Sequence, residues 1–348
     1  MARKDPSKEA LDRVRALEKA APSDSGVAAL RGLLAHQNNH IAGRAAALAK
    51  EWKAEALIPE LRAAFDRFLE SPVTSDPGCA AKQPIMDALS VLGCADAEFF
   101  LAGTRYVQRE PVYGGGTRYM GPRASDWRDP EPRGSQDTAA GVRGAAAQGL
   151  LNMGYPDAYL ELANLLRDPD ARTRRMAVEC LGDSGAYQAE LLLRVSALAG
   201  DEEPDVVALA LQALMRLAPE RSLPFVAQFL RTFNLVIAEG AALAIGEARL
   251  PESFAILRRA LESPGRRSAP VNFLLPIALT RSDDAFDYLL GIVREDRERE
   301  AMLAIKALAI YAGQELRVAA VRAAVDARAS RDLAQFFNRA FEPQEADD

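Results

Sequence analysis

Histidine, cysteine, tryptophan and long apolar runs are all scarce in this chain of 348 residues, and each scarcity removes a class of function. Only His36 and His40 are present, so a Ser-His-Asp or Cys-His nucleophile system has to recruit one of them, and no nucleophile elbow is found. They stand four apart, the spacing of helix-borne metal pairs, but the intervening Gln37-Asn38-Asn39 reads as a turn. No nearby Glu or Cys completes a ligand set, so neither a metal nor a cofactor is assigned. Cys79, Cys94 and Cys180 are odd in number and far apart, which excludes a disulfide framework or a paired thiolate site and fits a reducing compartment. No run of about 18 uncharged apolar residues exists to span a membrane, and the charged opening MARKDPSKEALDRVRALEKA lacks the apolar core of a secretory signal. A cytoplasmic location is the default expectation. Basic residues are outnumbered by acidic ones, 43 to 49, which argues against nucleic acid as the main partner. The local groups Arg172, Arg174, Arg175 and Arg258, Arg259, Arg266, Arg267 read as solvated helix surface, because no basic stripe extends over successive segments.

What the chain does have is self-similarity. An apolar helix, a short polar turn and an alanine-rich second helix recur along it, with 49% hydrophobic residues and only 7% aromatics, a composition suited to close helix packing. Aligning the ends of the second helices sets Gly182, Ala218, Gly246, Thr280 and Gly313 in register, at steps of 36, 28, 34 and 33 residues. That period is the signature of a helix-pair repeat, a unit that cannot bury its apolar face alone and therefore stacks. The pairs read as 27–34 with 41–52, 57–69 with 80–92, 99–108 with 138–153, and 159–166 with 171–181. They continue as 191–199 with 206–217, 225–231 with 236–245, 254–261 with 271–279, and 286–294 with 301–311, and 316–327 with 332–341 closes the array. Asp170 and Asp205 stand where a side-chain oxygen caps the second helix.

The segment LLRDPDARTRRMAVECLGDSG carries the turn Asp168-Pro169-Asp170, then Arg174, and Ala177, Leu181 and Gly182 at packing positions. It resembles a HEAT repeat, of the short bacterial kind also found in phycobilin lyase subunits. The resemblance covers roughly residues 25 to 340 and implies an all-α, right-handed alpha-solenoid of about eight HEAT-like pairs in one continuous array. Residues 1–24 are expected to cap its start and the acidic tail 343–348 to be disordered. In such arrays second helices usually line the concave face, which supplies a binding geometry and no chemistry.

One stretch departs from the period. Gly93 and Gly154 end successive second helices 61 residues apart, and the excess, residues 110–136, holds five glycines and four prolines. Neither helix nor strand is expected to run through it. Structureless loops longer than about 12 to 15 residues are uncommon in compact domains and are usually functional or disordered. This one carries Tyr113, Tyr119 and Trp127 beside Arg118 and Arg128, residue types that dominate protein-binding hot spots. Its GGGTR lacks the Lys-Ser or Lys-Thr of a P-loop and no strand precedes it, so an NTPase is not indicated. Flanking it, Asp76 and Lys82, then Arg105, Gln108 and Glu110, then Asp137 and Arg143, fall at helix ends that stacking brings together. Asp76, Lys82, Gln108, Asp137 and Arg143 read as a polar cluster anchoring the loop, and Arg105 and Glu110 as partner-facing. The reading is a non-enzymatic scaffold or adaptor for a protein partner. Two alternatives stay open: a nucleic-acid-binding or DNA-glycosylase-like HEAT protein, and a lyase- or chaperone-like auxiliary for prosthetic-group attachment.

Overall fold

Helix after helix begins on a side chain that accepts the first free backbone N–H groups. Ser23 takes the amide of Gly26, Asn38 those of His40 and Ile41, Asp96 that of Phe99, Asn234 those of Val236 and Ile237, and Ser282 that of Ala285. The structure, a computed structural model, describes residues 6–112, 134–263 and 273–341, and among these the fold is all-helical except for one two-stranded ladder. The chain divides into two units, Met1–Cys180 and Leu181–Asp348.

The first unit starts with α1 (Pro6–Glu18), which packs on α3. Four helix pairs follow: α2 (Asp24–Leu34) with α3 (Asn39–Glu51), α4 (Ile58–Leu69) with α6 (Lys82–Val91), α7 (Ala97–Thr104) with α8 (Ala140–Asn152), and α9 (Ala158–Leu165) with α10 (Ala171–Asp183). A single turn, α5 (Pro72–Ser75), lies inside the second pair, and the unit boundary falls within α10. The second helices form their own layer, α3 against α6 and α6 against α8. Gly93 and Gly154 follow α6 and α8 with φ of 81° and 69°, the left-handed conformation that ends a helix at least cost when no Cβ is present.

The layer is close because its facing residues are small. α8 is buried from Ala140 through Ala147 and again at Gly149 and Leu150. A Cβ on Gly141 would stand 2.2 Å from the Gln83 side chain, one on Gly144 2.5 Å from Met176, and one on Gly149 2.3 Å from the Phe100 ring. A helix buried on every side needs no polar face, which is why this one shows so little amphipathic patterning.

Unit 2 repeats the plan in α11 (Tyr187–Ala199) with α12 (Pro204–Leu217), α13 (Pro219–Val226) with α14 (Leu235–Ala248), and α15 (Ser253–Leu261) with α16 (Leu274–Leu279). α17 (Asp283–Glu295) with α18 (Glu298–Leu308), and α19 (Glu315–Ala327) with α20 (Arg331–Phe341), complete it. Here too the second helices stack in sequence, α12 on α14, α14 on α16, α16 on α18 and α18 on α20. Tyr311 is the anchor of the later pairs. Its hydroxyl donates to the carbonyl of Ala278 at 3.0 Å, its ring meets Phe286 edge to face at 5.5 Å, and Arg281 and Arg317 lie over it.

Four local expectations are corrected. The first helix of the third pair ends at Thr104, not Gln108, because the carbonyls of Tyr106 and Gln108 are taken by Arg143 and by the Thr138 amide instead of by a further helical turn. The ends of the insertion do form strands, β1 (Arg109–Pro111) and β2 (Ser135–Asp137), paired antiparallel with Arg109 opposite Asp137 and Pro111 opposite Ser135. Most of the glycines and prolines fall between them, in 113–133, so both edges are free to pair. Asp170 does accept the Arg172 amide at 2.8 Å, but Asp205 is not a cap: Pro204 sets the start of α12 and leaves Asp205 inside its first turn. The first helix of the sixth pair begins at Pro219, and 225–231 is its end plus a 3₁₀ segment, Ala227–Arg231. The acidic tail lies outside the described residues.

Candidate functional site

Where helix pairs two, three and four of unit 1 meet, the sequence places an acidic residue six positions before a cation three times: Asp76 and Lys82, Asp137 and Arg143, Asp168 and Arg174. In each case the carboxylate takes amides at the start of the following second helix. Asp76 accepts from Ala81 and Lys82, Asp137 from Ala139 and Asp168 from Asp170, at 2.8 to 3.0 Å. Each cation also takes a main-chain carbonyl: Lys82 that of Phe68 in the last turn of α4, Arg143 that of Tyr106 just past α7, and Arg174 those of Asp168 and Pro169 in the turn after α9. The spacing thus closes both ends of the turn between paired helices.

The three units are joined to one another. The Asp76 carboxylate and Lys82 ammonium are both 0% exposed and 2.9 Å apart, and Asn39 of the first pair donates to the same carboxylate at 3.1 Å. Gln108 Nε2 donates to the Asp76 carbonyl at 2.9 Å and to Glu110 Oε1 at 2.6 Å, while the Tyr106 hydroxyl donates to its Oε1 at 2.8 Å. Glu110 Oε1 also accepts from the Gly78 amide and the Thr138 hydroxyl. Arg143 uses all five of its N–H groups. Nε and Nη2 grip Asp168 at 2.8 and 2.9 Å, Nη2 also reaches Thr173, and Nη1 reaches Asp137 at 2.6 Å and the Tyr106 carbonyl at 2.9 Å. A buried guanidinium is tolerated when every donor is answered in this way.

The electrostatics follow from that geometry. Burial pushes the Asp137 carboxyl up, but the Ala139 amide, Arg143 and the Gln108 amide together outweigh it and hold it below its usual value. Glu110 is treated alike: burial raises it, and Gln108, Thr138, the Gly78 amide and Lys82 bring it below the ordinary range. Groups depressed in the folded state stabilise fully above their unfolded values, near 4 for carboxyls, and lose that contribution as pH falls through the folded value. Unit 1 should therefore lose stability below about pH 4, and Asp137→Asn should flatten that loss in acid unfolding curves. An unchanged acid limb in the variant would remove Asp137 from the account. Cys79 sits 3.8 Å from the Thr138 hydroxyl, and burial lifts its thiol to about 11, so it is protonated at neutral pH and is no nucleophile.

Of the residues singled out in the sequence, Asp76, Lys82, Gln108, Asp137 and Arg143 come together here. Glu110, read as partner-facing, is drawn into the same cluster. Arg105 stands apart: it is 68% exposed and pairs with Glu161 at 3.0 Å. Tyr113, Arg118, Tyr119, Trp127 and Arg128 lie outside the described residues. The sequence reading missed Asn39, Tyr106, Thr138, Asp168 and Thr173 as members, and the signal for Asp168 was the six-residue spacing itself. His36 Nδ1 accepts the Asn38 amide at 3.0 Å in the turn before α3, and no group of His, Cys, Asp or Glu suited to a metal occurs among the described residues. No helix there is long and apolar enough to cross a membrane.

Paired helices stacked through their second members, with polar side chains linking the turn of one pair to the next, define a helical repeat protein. Residues 134–195 match the family described as HEAT repeats. Among solved structures, the complex of CpcE and CpcF of phycocyanin lyase from Nostoc sp. PCC7120 aligns with 98% of this chain and 98% of its own, at 13% identity and a TM-score of 0.31. No curated protein matches the chain.

Proposed function

We propose that the chain is a non-enzymatic interaction scaffold in which the insertion 110–136 is a partner-binding element. In this reading Tyr113, Tyr119 and Trp127 supply contact area, Arg118, Arg128 and Arg105 steer an acidic partner, and Asp76, Lys82, Gln108, Glu110, Asp137 and Arg143 anchor the stem. The observation that carries it is the density of hydrogen-bonded polar groups, several of them buried, at the base of β1 and β2. Such a network fixes both ends of the insertion, which lowers the entropy lost when its residues engage a partner. Arg105 fits the partner-facing role: its side chain is 68% exposed although one guanidinium nitrogen pairs with Glu161, so the rest of the group is available for recognition.

The test is a crosslinking pull-down from lysate of the source organism with the intact protein, a version with residues 112–134 replaced by a Gly-Ser turn, and Arg105→Ala. The reading expects a partner captured by the first and lost or weakened in the other two, with melting temperatures unchanged. Identical captures by all three overturn it, and so does a turn variant that unfolds while Arg105→Ala captures normally.

A further inference from the structure

The first helices of unit 2 are not equivalent on their outer sides. α17 buries Phe286, Leu289, Leu290 and Val293 and presents Asp283, Asp284, Asp287, Arg294 and Glu295. α11 buries Ala189, Leu193 and Ala197 as it should, yet its opposite side is apolar too: Tyr187, Leu191, Val195 and Leu198 are 61, 47, 64 and 68% exposed. No charged residue of α11 is among its exposed positions. A helix face of large apolar side chains is normally covered by another element. The four fall on one stripe, four, four and three residues apart, about 16 Å long at 1.5 Å per residue, the footprint of a packed partner helix rather than of a small molecule.

Charge stands at one end of the stripe. The Glu190 carboxylate is buried and shared by two guanidinium groups, Arg194 at 3.0 Å and Arg221 at 2.5 Å. Arg221 is 64% exposed and lies 5.9 Å over the Tyr187 ring, and Arg194 lies 4.9 Å from the Phe225 ring centre. Among these three groups one carboxylate faces two guanidinium groups, which leaves one positive charge in excess beside the first turn of α11, where the helix dipole adds the same sign. We propose that the outer face of α11 docks an acidic amphipathic helix of another protein, its apolar seam on Leu191, Val195 and Leu198 and a carboxylate at Arg221. This rests on the scaffold reading but uses a different unit and surface from the insertion.

The probe is a hydrocarbon-stapled, fluorescein-labelled two-heptad peptide with Leu at a and d and Glu at the solvent positions, compared with the same peptide carrying Lys in place of Glu. Anisotropy should show at least tenfold tighter binding of the Glu peptide by the full chain, with the preference shrinking in 0.3 M salt. Leu191→Gln/Val195→Gln should weaken it at least tenfold at an unchanged melting temperature, and Arg221→Gln should reduce the preference for Glu over Lys. The version lacking residues 112–134 should bind the peptide normally, which separates failure of this proposal from failure of the insertion reading. Equal binding of both peptides, binding of neither, or full binding by the Leu191/Val195 variant overturns it. So does a wild-type dimer in sedimentation that the double substitution makes monomeric, because a second copy then covers the face.

Discussion

Replacing Lys82 by methionine should destabilise unit 1 by about 3–5 kcal/mol, the range seen when one partner of a buried ion pair is removed. The Asp76 carboxylate would keep its bonds from Asn39 and from the amides of residues 81 and 82, yet would lose the ammonium that balances its charge at 0% exposure. The carbonyl of Phe68 would lose its donor as well. Asp76→Asn/Lys82→Met together should recover part of the loss, since no net charge is then left buried. Denaturant unfolding of the four proteins in a double-mutant cycle measures the coupling. A Lys82→Met loss under about 1 kcal/mol would show that the pair is hydrated in solution, in conflict with its burial.

Adding a single methyl group at Gly246 should destabilise unit 2 by about 1–3 kcal/mol, while the same change at Gly291 should stabilise it by about 0.5–1 kcal/mol. A Cβ on Gly246 of α14 would stand 2.3 Å from the carbonyl oxygen of Pro276 on α16, a backbone atom that cannot rotate away. A Cβ on Gly291 of α17 meets nothing within 4 Å. The opposite signs separate helix propensity from interhelical spacing, which both act at a mid-helix glycine. If both variants were stabilised, α14 and α16 would have room to part, and the close second-helix layer of unit 2 would be wrong.

The repeats were legible because each pair writes its own start and stop. Gly93 and Gly154 mark the ends of second helices, and the turn of Asp168, Pro169 and Asp170 announces the next one. The boundary errors share a cause. Tyr106–Gln108 has the local composition to continue α7, and it leaves the helix only because Arg143 and Thr138, more than 29 residues later, claim its carbonyls. Local pattern carries no record of such a competitor. The polar cluster was legible in outline, since helix ends in a stack must converge and buried charges need partners. Its full membership was not: Asn39 and Thr173 are ordinary polar residues in sequence, and only the packing of neighbouring pairs brings them to Asp76 and Arg143. The apolar outer side of α11 was overlooked for a different reason: Leu191 to Ala199 reads as a normal first helix until the buried side is known to be Ala189, Leu193 and Ala197.

Repeat arrays unfold in the manner of a one-dimensional lattice, each unit held only by its neighbours and free to fray from the ends. The polar links between pairs in unit 1 change that arithmetic. Asn39 reaches Asp76, Gln108 joins the Asp76 turn to the third pair, and Arg143 ties that pair to Asp168 and Thr173 of the fourth. Parting the third pair from the fourth separates Arg143 from Asp168, and parting the second from its neighbours breaks the Asn39 and Gln108 bonds to the Asp76 turn, so partial opening costs more than in an array held by apolar contacts alone. The stem of the insertion is thereby mounted on a cooperative segment, and whatever force a bound partner exerts on it is borne by four helix pairs at once.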